Sequence, residues 1–174
     1  MAAYRMKKFE IRAENLRWIN GDEDDVDDLC LHGHAMAKIG DECFEYEATV
    51  SATALYLLKS LTEDHIIYQD NQMFPCCGHF IIPNDDLSNV EIAGCPNGID
   101  WSVIHDGENV RLITDSGKET VVKLEDYRQE VYKFADMIEA YYMKCTPKNL
   151  PEDDYGWDRN SYTAFWNEWH RRRA

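Results

Sequence analysis

The stretch "ECFEYEATV", Glu42 to Val50, decides the fold class. Its apolar residues Phe44, Tyr46, Ala48 and Val50 alternate with Cys43, Glu45, Glu47 and Thr49. A repeat of two residues places one set on the buried face of a sheet and the other in water. Gly40-Asp41 stands just ahead of it, and "LCLHGHAMAKI", Leu29 to Ile39, lies beyond that turn, so the two segments are expected to form a hairpin. Farther along, "VEIAGC", "DWSVIHD", "NVRLITD" and "ETVVKL" are separated by "PNG", "DGEN" and "DSGK", each rich in turn-forming residues. That succession predicts an antiparallel meander.

Three segments carry helical periodicity. In "SATALYLLKSLTED", Ser51 to Asp64, the residues Ala54, Leu57, Leu58 and Leu61 recur at i, i+3, i+4 and i+7, with Ser51 placed to cap the first turn. From Leu124 through about Cys145, the set Leu124, Tyr127, Val131, Phe134, Ala135 and Ile138 forms one stripe expected to face the sheet. After "DRNS", a last helix carries Tyr162, Phe165, Trp166 and Trp169 on one face and ends in "HRRR", whose cations complement the helix dipole. This aromatic stripe reads first as a core-facing surface. Strands followed by helices, without a linker or an internal repeat, imply a single α+β domain over residues 1–174: a mostly antiparallel sheet packed by about three helices, two of them C-terminal.

The charge is lopsided. With 33 acidic against 18 basic side chains the formal charge is −15. Such a field repels nucleic acid and anionic lipid and steers a basic partner into encounter. No direct nucleic-acid or membrane partner is therefore expected. The segment "GDEDDVDD" supplies Asp22, Glu23, Asp24, Asp25, Asp27 and Asp28, and "LPEDDYGWD" supplies Glu152, Asp153, Asp154 and Asp158 beside Tyr155 and Trp157. Both are expected to be exposed loops, because so many like charges cannot be buried unpaired. Tyr155 and Trp157 offer apolar anchors in a field suited to Lys or Arg, which makes these twelve residues the candidate partner-binding set. Apolar runs such as "ALYLL" are too short to span a bilayer, and "MAAYRMKKFEIR" contains none of signal-peptide length, so a cytoplasmic location is expected. Six unevenly spaced cysteines do not read as a secreted disulfide framework, and thiols rather than bridges are expected.

One stretch suggests chemistry: "QMFPCCGHF", Gln72 to Phe80. Cys76 and His79 have C-x-x-H spacing, while Cys30, His32 and His34 alternate along one strand, so Cys76 or Cys77, His79, His32 and His34 are the set from which a metal site could be built. The same thiols beside His79, His105 or His65 would make a Cys–His nucleophile. No second C-x-x-C or H-x-x-x-H pair supports a structural zinc site, and no H-x-E with P-C-x-x-C supports a zinc deaminase. Phosphate-binding, dinucleotide-binding, nucleophile-elbow and H-E-x-x-H signatures are missing. The acidic run lacks the EF-hand glycine and final glutamate. No catalytic residue, metal or cofactor is expected, and the thiols are assigned to the core at the entry of a strand.

The whole profile, acidic, small and α+β with no catalytic motif, resembles the immunity proteins of bacterial polymorphic-toxin systems of the contact-dependent inhibition type. The resemblance implies a non-enzymatic protein that binds and neutralises a cognate cationic, nuclease-like toxin domain. The alternative is an enzyme or metal-binding protein using Cys76, Cys77, His79, His32 and His34.

Overall fold

The computed structural model describes residues 6–69, 71–152 and 156–174. The chain runs β1 (Phe9–Arg17), β2 (His32–Ile39), β3 (Glu42–Ala48), α1 (Val50–Lys59), β4 (Phe74–Pro75) and β5 (Phe80–Pro83). It continues with β6 (Val90–Ala93), β7 (Gly98–Ile99), β8 (Trp101–Asp106), β9 (Asn109–Thr114), β10 (Glu119–Lys123), α2 (Leu124–Lys144) and α3 (Trp157–Arg173). All the strand pairs are antiparallel: β1-β2-β3 and β10-β9-β8 form three-stranded sheets, and β4-β7 and β5-β6 form two small ribbons. The domain is α+β, with two of its helices C-terminal.

The alternation in Glu42–Ala48 sorts as the pattern requires, with Cys43, Glu45 and Glu47 exposed and Phe44, Tyr46 and Ala48 turned inward. The strand ends two residues early, because Thr49 is completely buried and Val50 already opens α1. Ile39 pairs with Glu42, so Gly40-Asp41 is a two-residue turn, and Gly40 takes a φ of 63° that an L side chain adopts only with strain. A Cβ there would also lie 2.5 Å from Thr120 Oγ1, since the hairpin tip rests on β10. Glu42 ties the same tip to the β9–β10 turn by accepting hydrogen bonds from Thr114 Oγ1 and Ser116 Oγ.

Several boundaries differ from the sequence expectation. β2 begins at His32 rather than Leu29, and α1 ends at Lys59 rather than running to Asp64. Ser51 is not the cap of α1: Thr49 holds that position, and Ser51 Oγ instead accepts the Leu31 N–H at 3.1 Å. The segment Val90–Ala93 leaves the expected meander to pair with β5. β1 was not foreseen, although Phe9 and Ile11 face inward and Glu10 and Arg12 outward in the same two-residue alternation.

α1 occupies the centre. Every residue from Val50 to Leu58 is buried, and the helix packs against α2, α3, β2 and β4. The expected single apolar stripe is thus an all-round apolar surface, the pattern of a core helix. α2 bridges the two three-stranded sheets through contacts with β1, β9 and β10, and α3 covers β5 and β6. The core stripe of α3 is as expected for Phe165 and Trp169, which are buried, while Tyr162 and Trp166 pack against the core half-buried.

One buried charge locks α3 in place. Glu168 is 0% exposed, accepts the Val90 N–H at 2.7 Å and the Arg172 Nε–H at 2.8 Å, and lies 3.4 Å from Lys59 Nζ. Breaking a buried pair costs roughly 3–5 kcal/mol when the remaining charge is uncompensated; here Arg172 keeps Glu63 as a partner, which places the cost at about 3 kcal/mol. Glu168→Ala is expected to lower unfolding stability by about that amount in urea titrations, whereas Glu125→Ala, on an exposed i,i+3 pair with Arg128, should change it by about 0.5 kcal/mol or less.

Candidate functional site

The acidic segment 21–28 is held by its backbone. The Glu23 carbonyl accepts hydrogen bonds from Trp18 Nε1 and the Tyr141 hydroxyl, the Asp25 carbonyl accepts one from Lys148 Nζ, and the Val26 carbonyl accepts the Asn149 N–H at 2.7 Å. Lys148 Nζ also sits 3.1 Å from the centroid of the buried Trp18 ring, and burial lowers its pKa. Anchoring through carbonyls lets Asp22, Glu23, Asp24 and Asp27 stay exposed. Not all the carboxylates are idle. Asp24 accepts from Thr146 N–H and Oγ1, which lowers its pKa, and Asp27 accepts from Asn149 Nδ2.

Asp28 differs from the rest of the run. Its side chain is only 7% exposed and accepts N–H groups from Ile19 at 2.7 Å and Cys30 at 3.0 Å. Its Oδ2 lies 4.0 Å from His32 Nε2. The His32 ring stacks on the ring of His79, centroids 4.8 Å apart, and burial followed by the proximity of His79 lowers its pKa. Asp28, His32 and His79 can each direct one ligand atom so that all lie within 4.8 Å of one another.

The second acidic segment joins the first. Asn149 is bonded to Val26, and Arg159 on α3 reaches back to the Leu150 carbonyl and to Glu152. Trp157 and Asp158 are not in a loop, because α3 begins at Trp157, five residues before the expected start of its aromatic stripe. Gly156, with a φ of 58°, turns the chain into that helix. Asp153, Asp154 and Tyr155 lie outside the described residues. Trp157 is 40% exposed and stacks on Phe80, itself 56% exposed, with centroids 5.6 Å apart.

These contacts close a circuit. Val26 touches Asn149, Leu150 touches Arg159, Trp157 touches Phe80, and His79 touches His32, which faces Asp28. The described parts of two acidic segments more than a hundred residues apart in sequence are therefore linked by contacts, and the chain of contacts includes the exposed Phe80–Trp157 pair. Sequence reasoning missed Phe80, and the signal that could have found it is its place at the start of a short strand directly after an exposed His79.

Of the expected Cys/His set only His32 and His79 come together, and His34 and the cysteines lie elsewhere. His34 turns to Glu47 and Glu45, whose hydrogen bonds raise its pKa. A bulge in β1 between Glu14 and Arg17, opposite the His32–His34 segment, adds local twist, and the two imidazoles end with different partners. Cys30 lies just before β2, buried, its Sγ 3.5 Å from the Gly78 carbonyl, and burial pushes its thiol up to about 12. Cys76 is joined to Cys95 in a disulfide, contrary to the expectation of thiols throughout. The β5–β6 ribbon between them brings together residues 19 positions apart, a proximity that spacing alone does not reveal. Cys77 stays free, half-buried beside that bridge, and its Sγ accepts the Cys95 N–H at 3.0 Å. Gly78 presses this loop onto α1, where a Cβ would meet that of Ala52 at 2.9 Å. Among the described residues no thiol is hydrogen-bonded to a histidine, so the Cys–His nucleophile is not assembled. No family model, curated protein or solved structure matches the chain.

Two outcomes follow for the cysteines. Closing a loop of this size contributes about 3 kcal/mol. Cys95→Ser should therefore destabilise the oxidised protein by about that amount in urea unfolding, with the difference vanishing in excess reductant. Native alkylation followed by peptide mapping should modify the exposed Cys43 and leave Cys30 unmodified until the chain unfolds.

Proposed function

We propose that the protein is a non-enzymatic binding protein of the toxin-immunity kind, acting in the cytoplasm by covering a cationic, nuclease-like toxin domain. The observation that carries this reading is the chain of contacts that runs from the 21–28 segment through Asn149, Leu150, Glu152 and Arg159 to the exposed, stacked Phe80 and Trp157 rings. Fixed carboxylates supply long-range attraction and register for Lys and Arg, and an aromatic pair that loses water on contact slows departure. No helix among the described residues is long and apolar enough to cross a membrane. In a reducing cytoplasm the Cys76–Cys95 pair would be open, without consequence for the acidic anchors, which are hydrogen bonds of the 21–28 backbone.

The reading separates two groups of residues by what each controls. Neutralising the exposed Asp22, Glu23, Glu152 and Asp158 to Asn or Gln should slow association with a toxin domain encoded beside this gene and flatten the dependence of the rate on salt. Phe80→Ala and Trp157→Ala should leave association nearly unchanged and speed dissociation by roughly tenfold or more, the cost of losing an interface anchor of 1.4 kcal/mol or above. Stopped-flow mixing at several salt concentrations, beside growth rescue on co-expression, checks both. Unchanged kinetics in both groups, or no rescue by the wild type, would remove the proposal.

A further inference from the structure

From the convergence of Asp28, His32 and His79 we infer a binding site for a divalent transition metal, Zn²⁺ first of all, with two imidazoles and one carboxylate as protein ligands. This goes beyond the proposed toxin binding and does not depend on it.

The ligand set is of the right kind. Two histidines with a carboxylate is a donor combination that zinc and non-haem iron share, and three protein ligands leave a coordination position open. The three donor atoms already lie within 4.8 Å of one another, and small side-chain rotations bring such atoms onto one ion.

The surroundings favour a cation over a simple ion pair. His32 Nε2 is buried without a hydrogen-bond partner, and at 4.0 Å the Asp28 oxygen is too far to supply one. A buried polar nitrogen left this way is costly unless something binds it. Asp28 is held by two backbone N–H groups, the outer-shell support that orients a ligating carboxylate. Arg17 is paired with Glu47 at 2.7 Å, while Lys148 lies on the Trp18 ring and donates to the Asp25 carbonyl, so its charge reaches Asp28 through space and leaves the His32 nitrogen unpartnered. His79 is exposed, so the ion would be reached from solvent and its open position would face water.

The ligands also arrive from three separately anchored places. Asp28 ends the acidic segment, His32 starts β2, and His79 follows Gly78, which is wedged against α1. An ion shared by the three would fix the edge of the acidic face to the aromatic pair through the adjacent Phe80. The cysteine triad of Cys76, Cys77 and Cys95 is a separate cluster, and this site makes no use of it.

The test uses Co²⁺ and Zn²⁺ with full-length protein carrying no polyhistidine tag. Titration with Co²⁺, followed by visible absorption and displaced by Zn²⁺, is expected to show one equivalent bound per chain. His79→Gln, at an exposed position that should leave the fold intact by circular dichroism, is expected to weaken binding at least tenfold, no less than the loss of an outer-shell partner costs. His32→Gln should do the same, and Cys77→Ser should bind as the wild type does. The inference is overturned if the wild type takes up no stoichiometric metal, if His79→Gln binds equally well, or if Cys77→Ser abolishes binding while His79→Gln does not.

Discussion

Burial of α1 on every side is the constraint that the remaining elements answer to. A ten-residue helix is too short to persist alone in water, so its stability must come from the apolar surface it hides. Leu55, Leu57 and Leu58 are almost wholly buried, and each such side chain contributes roughly 1.5–3 kcal/mol when removed from water. Enclosing the helix also removes water from its first turn, whose N–H groups then need partners inside the protein. Pro75 supplies a carbonyl to Thr49, Leu31 supplies one to Ser51, and Thr49 supplies one to Ala52 and Thr53. The chain entering β2 and the chain leaving β4 are therefore both pinned to the same helix end.

That pinning places the candidate site. Leu31 is fixed by Ser51, and the Tyr142 hydroxyl donates to the Leu29 carbonyl, so the end of the acidic segment and the start of β2 have no freedom to slide. The loop after Pro75 can approach only because Gly78 carries no Cβ against Ala52. His32 and His79 meet for that reason, and Phe80 follows His79 out into solvent beside Trp157. The geometry of the surface is inherited from the core, although none of its residues is part of the core.

The parts legible in the sequence were those whose physics is local. Alternation in Glu42–Ala48 and the stripe of Leu124–Lys144 arise from one face meeting water, and both elements lie where their patterns put them to within two residues. α1 showed its periodicity but not its all-round burial, because a helix with four neighbours has no wet face to mark its ends. The Cys76–Cys95 bridge, the partnership of Asp28 with His32 and the stacking of Phe80 on Trp157 were hidden for a different reason. Each joins segments brought together by the packing around α1, and no spacing within one segment records it. The acidic segments were legible as charge, and the join between them through Val26 and Asn149 was not.

Holding six acids in eight residues works against self-repulsion, and the way the protein does so bears on what the face can do. Pairing every carboxylate with a basic side chain would have removed the repulsion and the attractive field together. Here the positive and hydrogen-bonding groups, Lys148, Trp18 and Tyr141, are spent mainly on backbone carbonyls of the segment. The loop is thereby ordered while Asp22 and Glu23 keep their charge in solvent. An ordered set of charges loses less conformational entropy on meeting a partner than the same charges on a mobile tail would. Asp28 is the exception that fits the same logic: turned inward and oriented by two N–H groups, it is the one acid of the run positioned to serve a buried imidazole rather than a distant partner.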